Sequence, residues 1–141
     1  MAIDPYSRWV AGWAASDRLK RGIAVVAPRR AIVNREPAPG LIHHSCRGSQ
    51  YCSVDYRAAL RKRGVLISMS GKGNCYDNWM VETVFKTIKS ELIWPVARQS
   101  RKQADNAIAR YIDGFYNPVR RHSSPDFPSP IAFERKARKV S

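Results

Sequence analysis

The chain has 141 residues, 44% of them hydrophobic, with 25 Lys and Arg against 11 Asp and Glu for a net charge of +14. That length and apolar content exclude a disordered tail and predict one globular domain, while the excess of cations, spread along the chain, predicts a polyanionic partner, nucleic acid first among them. The first fifteen residues carry Asp4, Arg8 and two Trp, no apolar run is long enough to span a membrane, and Cys46, Cys52 and Cys75 are odd in number, so the reading is a cytoplasmic protein with reduced thiols.

In chain order, residues 8–14 are short, apolar and aromatic and predict a strand, paired with Ala2-Ile3 across the turn signal Asp4-Pro5. Asp17 is placed to cap a helix over 18–35, but Gly22 and Pro28 interrupt the pattern. An interior proline removes a backbone bond and costs roughly 3 kcal/mol, so a kinked, shortened or poorly formed helix is expected. Residues 37–40 form a loop, and 41–44 predict a buried strand ending at Ser45.

A helix from Ser53 or Val54 to 63 is expected, with Tyr56, Ala59 and Leu60 inward and Gly64 ending it. Residues 65–68 predict a strand and 70–74 a basic, glycine-containing loop. The clearest helical period runs over 77–92, where Val81, Val84, Phe85, Ile88 and Leu92 make one apolar stripe; 102–115 repeats the pattern with Ala104, Ile108, Tyr111, Ile112 and Phe115. A turn at Asn117-Pro118, a basic cluster Arg120-Arg121-His122 and a short helix after Pro130 complete the chain.

Three segments carry chemistry: His43-His44-Ser45-Cys46-Arg47-Gly48-Ser49-Gln50-Tyr51, then Gly73-Asn74-Cys75-Tyr76-Asp77-Asn78, then Glu82, with 35 residues between Cys46 and Glu82. Together with Asp4-Pro5-Tyr6-Ser7-Arg8, the strand through Val10 to Trp13, the run from Tyr111 to Pro118, Arg120-Arg121-His122-Ser123 and the segment from Ser129 to Arg135, they resemble the integrase core of insertion-sequence transposases of the IS-three family. The resemblance covers nearly the whole chain. It implies a ribonuclease-H-like α/β fold with a core over about 1–116 and a basic tail over 117–141. It also implies DNA transposition by two magnesium or manganese ions held on an Asp, Asp, Glu triad, one ion activating the attacking oxygen and one stabilising the leaving oxygen.

On that resemblance Glu82 is the triad Glu and a metal ligand, and Cys46 stands where the second Asp is expected. The first Asp belongs on a strand preceding Met1, so the chain is expected to begin after it; Asp4 sits in a different motif. In a family sheet ordered 3-2-1-4-5 the central strand would then be missing, leaving an incomplete fold. A thiol is a soft ligand and replaces Asp poorly as a holder of magnesium. The chain is therefore expected to be a truncated, catalytically inactive copy. Pro28, and Pro125-Asp126-Phe127 where the family has Leu-Gly-Tyr, depart from the pattern as well. Lys86 and Lys89 match family lysines that lie against DNA, and Arg47, Lys72, Arg120, Arg121 and His122 extend the expected DNA surface. The expected partners are element ends, target DNA, and a second copy or intact transposase. The alternative function is a non-catalytic DNA-binding or dominant-negative subunit.

Blander readings stand beside these. Glu82 and Lys86 could be an ordinary helical pair contributing a few tenths of a kcal/mol. A zinc site of His43, His44, Cys46 and Cys52 conflicts with the opposite directions of adjacent strand residues and with the Cys spacing. A nucleophilic Cys46 with a neighbouring His lacks an orienting residue.

Overall fold

The structure is a computed structural model that describes residues 1–16, 21–71, 79–93, 100–122 and 128–140. Four strands and five helices are described: β1 Ala2–Ile3, β2 Val10–Gly12, α1 Arg21–Arg35, β3 Ile42–Ser45, α2 Val54–Arg61, β4 Leu66–Met69, α3 Trp79–Ile88, α4 Arg101–Tyr111 and α5 Pro130–Val140. The expected mixed α/β class is observed. The single domain expected over 1–141 is built as two compact units, one of Met1–Ala2 with Ala11–Glu82 and the other of Ile3–Val10 with Thr83–Ser141.

β1 and β2 pair as a two-stranded sheet. Between them the Asp4 carboxylate accepts the Tyr6 amide at 2.8 Å, and Arg8 turns the chain back with a positive φ of 61°. The turn signal in the sequence is thus realised as a side-chain-braced turn.

In the first unit, β2 lies against α1. Gly12 meets Ala27 and Ala31 so closely that a Cβ on it would fall 2.1 Å from the Ala27 carbonyl oxygen. The Asn34 side chain donates to the Ala11 carbonyl at 3.0 Å, and the Arg30 guanidinium donates to the Trp13 carbonyl at 2.8 Å. The helix expected to fail around Pro28 runs continuously through it. Pro28, Ala24 and Ala27 are all buried. The expected cap Asp17 lies outside the described residues.

β3 and β4 are parallel, with Ile42 opposite Leu66, His43 opposite Ile67, His44 opposite Ser68 and Ser45 opposite Met69. The row containing Ile67 turns toward a core of Ala24, Tyr56, Leu60 and Val65 supplied by α1, α2 and the approach to β4. The strand at 41–44 was expected to be buried; instead Ile42 is 65% exposed and its partner Leu66 57% exposed. The physical reason is the alternation of side chains across a sheet with only one helix-covered face among the described residues. α2 matches its sequence signals: the Ser53 hydroxyl caps it by accepting the Tyr56 amide, and Gly64, at φ 70°, carries the chain into β4.

α3, whose residues from Thr83 on belong to the second unit, and α4 each pass into a π-helical turn, Lys89–Ile93 and Ile112–Tyr116. Ser100 and Gln103 form a reciprocal capping box at the start of α4. Val84, Ile88, Ile112 and Tyr116 are buried, whereas Phe85 and Phe115, expected on the inward stripes, are exposed. At Phe115 the cause is visible: the π-helical turn rotates the residues beyond Tyr111 off the 3.6 period, so Tyr116 takes the inward position.

Candidate catalytic site and basic surface

Because β3 and β4 are parallel, their carboxyl ends lie side by side, the edge at which α/β sheets present their sites. The ladder continues there through the Ser70 amide, which donates to the Ser45 carbonyl at 3.0 Å. The two histidines diverge as strand alternation requires. His43 Nε2 meets the Tyr56 hydroxyl at 2.6 Å on the inner side. The outer ring of His44 is held by Ser68 at its Nδ1, 2.9 Å, and by Ser70 at its Nε2, 3.0 Å. Burial, then the neighbouring His44, holds the His43 pKa below its ordinary value, and burial drives the Tyr56 phenol above the usual range. That pair is therefore neutral at pH 7.

Cys46 follows directly, half-buried as a free thiol; the position a Cβ on Gly48 would take is 3.6 Å from its Sγ. The exposed Cys52 thiol donates to the Arg47 carbonyl at 3.7 Å. No group of three or more His, Cys, Asp or Glu able to hold a metal occurs among the described residues, so the zinc reading fails on the divergence of the two imidazoles. The two imidazoles nearest Cys46 in sequence have other partners. Both rings are engaged by hydroxyls of Tyr56, Ser68 and Ser70, and none of these contacts involves Cys46.

Glu82 lies in the first turn of α3. It is exposed, as are Lys86 one turn later and Lys89 at the start of the π-helical turn. The bland Glu82–Lys86 ion pair does not form among the described residues, so the charges point to solvent. Magnesium would find a single carboxylate in Glu82 and a soft thiol in Cys46, a donor set that does not fit a pair of hard cations.

The expected DNA surface divides. Arg47, Lys86, Lys89 and Arg121 are exposed, and Lys72 lies outside the described residues, as do Cys75, Asp77, Asn78 and the 125–127 departure. Arg120 and His122 both have contacts inside the second unit. Arg120 is ion-paired with Glu91 at 2.9 Å and lies over the Tyr116 ring, while the Tyr111 hydroxyl donates to the other oxygen of the same carboxylate. The hydrogen bond from Arg120 is the main reason the Glu91 carboxyl lies below the usual carboxylate range. His122 is buried edge-on to Tyr116, ring centres 5.6 Å apart.

Tyr111 reads in the sequence as a stripe residue, and Glu91 does not stand out. Their link spans 20 positions, beyond any helical periodicity. Burial, then the charges of Arg8 and Arg120, lowers the His122 pKa from 6.5 to about 4. The unfolded chain therefore takes up a proton near pH 6.5 that the folded chain refuses until about pH 4. Stability is fully present above that window and is lost as pH falls through it. His122→Gln should flatten this part of a urea-midpoint profile against pH, and an unchanged slope would exclude His122 as its source.

The parallel strand pair with helices beside it defines an α/β class rather than a particular activity. An integrase core domain family matches residues 1–75 and a second integrase core domain family matches residues 63–130. The chain belongs to the integrase core family of insertion-sequence transposases, whose fold is ribonuclease-H-like. It is 42% identical over 133 residues to the transposase for insertion sequence element IS904 of Lactococcus lactis, covering 94% of this chain and 53% of that protein. It is 41% identical over 133 residues to the insertion element IS600 uncharacterized 31 kDa protein of Shigella sonnei, covering 94% and 49%. To the transposase InsF for insertion sequence IS3A of Escherichia coli it is 40% identical over 136 residues, covering 96% and 47%. The chain thus spans about half the length of these relatives. No described helix is long and apolar enough to cross a membrane.

Proposed function

We propose that this 141-residue polypeptide is a DNA-binding piece of an insertion-sequence transposase core that does not itself cut or join DNA. The observation that carries the reading is Cys46: at the end of β3, where the resemblance expects a carboxylate, the chain offers a thiol, a soft ligand that holds a hard divalent cation poorly. Transposition by hard divalent cations is the activity of the family, and no step through such ions is derived for this donor set. The incomplete-sheet reading is supported by the pairing: among the described residues β1–β2 and β3–β4 form separate two-stranded sheets. DNA binding is supported by the +14 charge and by the exposure of Arg47, Lys86, Lys89 and Arg121. A non-catalytic subunit joining intact transposase is the second reading, favoured by the exposed Ile42–Leu66 row.

The test is to incubate the polypeptide with labelled duplexes carrying element ends, in magnesium and in manganese. The expected result is binding without 3′-end processing or strand joining, and an affinity that falls steeply, by roughly 10³ if six phosphates are contacted, between about 50 and 200 mM salt. Metal-dependent nicking that disappears in Glu82→Gln would overturn the proposal.

A further inference from the structure

Helix α5 has two faces with different fates. One face is fixed within the second unit. Phe133 packs edge-to-face on Tyr6 with ring centres 5.0 Å apart, and the Glu134 carboxylate accepts the Ser7 hydroxyl at 2.7 Å. The start of the helix is pinned as well: the Ile131 amide donates to the Asn117 carbonyl at 3.1 Å, and the Ser129 hydroxyl donates to the Pro118 carbonyl at 2.7 Å. The other face is set by helical spacing, with Ile131, Arg135 and Lys139 four apart and Ala132 and Lys136 beside them. These five residues and Pro118 line an open cleft of about 400 Å³.

The floor of this cleft is apolar and its rim is cationic. Arg135, Lys136 and Lys139 are exposed, and none has a carboxylate partner among the described residues. Glu134, the only acid in α5, lies on the fixed face with Ser7. Like charges at i and i+4, as in Arg135 and Lys139, repel and weaken a helix, so the arrangement is favourable only when an anion screens it. A solvated charge run needs no apolar cleft beneath it and no rigid anchoring behind it; a phosphate-binding rim uses both, the apolar stems packing on the floor while the charged heads converge.

From this we infer that the face of α5 formed by Arg135, Lys136 and Lys139 over Pro118, Ile131 and Ala132 is a phosphodiester-binding surface that grips one strand of a nucleic-acid backbone. The inference rests on the DNA-binding reading above and adds a site separate from α3 and from the end of β3. Contacts of this kind go to phosphate oxygens, which carry no sequence information, so the grip is sequence-independent.

The test uses the full chain and a random-sequence 30-base-pair duplex, followed by fluorescence anisotropy across a salt series. The triple variant Arg135→Ala, Lys136→Ala, Lys139→Ala should reduce the slope of log K against log salt by about 3, close to one per lost phosphate contact. The charge-retaining variant Arg135→Lys, Lys136→Arg, Lys139→Arg should keep most of the slope. A control, Arg61→Ala, Lys62→Ala, Arg63→Ala, removes the same net charge from the exposed end of α2 and should leave the slope nearly intact. Equal losses in the two alanine triples would overturn the inference in favour of a bulk-charge effect. So would an unchanged slope in the α5 triple while the wild-type chain still binds, and that result would leave the DNA-binding reading standing. Failure of the wild-type chain to bind at low salt would overturn both readings. Tighter α5-dependent binding of a poly-glutamate peptide of matched charge than of the duplex would assign the surface to an acidic protein segment and overturn the nucleic-acid assignment.

Discussion

Gly12→Ala is expected to destabilise the protein by about 3 kcal/mol, the upper part of the range for overpacking a tight interface. The added Cβ would sit 2.1 Å from the Ala27 carbonyl oxygen and 2.6 Å from the Ala31 amide nitrogen, both backbone atoms of α1. A flexible side chain could swing away; a helix backbone must move as a body. Movement is further opposed by the Asn34–Ala11 and Arg30–Trp13 hydrogen bonds, which tie the same helix to the same stretch of chain. Gly22 provides the contrast. It lies in the first turn of α1 with nothing within 4 Å of a built Cβ, so Gly22→Ala should stabilise by about 0.5–1 kcal/mol through helix propensity and a less entropic unfolded chain. Urea unfolding of the two variants should therefore shift the midpoint in opposite directions. A Gly12→Ala midpoint within error of wild type would show that β2 and α1 do not approach as closely as the structure has them.

The elements that could be read from the sequence are those fixed by local chemistry. Ser53 and Gly64 bracket α2 because a hydroxyl cap and a left-handed glycine act within a few residues of where they stand, and Asp4-Pro5 turns the chain for the same reason. The π-helical turns after α3 and α4 could not be read, since a 3.6-residue template assigns Phe115 to the inward stripe that Tyr116 occupies. Pro28 misled in the other direction: its local cost is real, but α1 runs through it, and no local pattern shows that the ring is buried. At the candidate site, motif spacing singles out Cys46 and Glu82, and with them Lys86 and Lys89, which the structure leaves exposed. Motif spacing does not show the contacts of Arg120 and His122 with Glu91 and Tyr116, which form through tertiary structure. Composition predicted a basic surface correctly; it could not say which cations are spent on partners within the fold.

Asn117→Ala is expected to cost about 2–4 kcal/mol, more than its small volume implies. Asn117 is 3% exposed, and its side-chain amide acts as a substitute strand: Oδ1 accepts the Val10 amide at 3.0 Å while Nδ2 donates to the Val10 carbonyl at 3.1 Å. Truncation leaves both backbone groups of a buried residue without these partners, and each unsatisfied group costs about 1–3 kcal/mol. The Asn117 backbone is engaged as well, its amide donating to the Ile112 carbonyl at 3.0 Å and its own carbonyl accepting the Ile131 amide at 3.1 Å. Damage should therefore spread to the π-helical turn and to the start of α5. Asn117→Asp discriminates between lost volume and lost hydrogen bonding. It keeps the shape and the acceptor for the Val10 amide but replaces the donor with a second oxygen facing the Val10 carbonyl, so it should be at least as destabilising at pH 7 and should partly recover as acid protonates the carboxylate. Hydrogen exchange at the Val10 amide is the direct readout, with protection expected to fall in the alanine variant. If the amide stays as protected in Asn117→Ala as in the wild type, the side chain is not what holds Val10 in place.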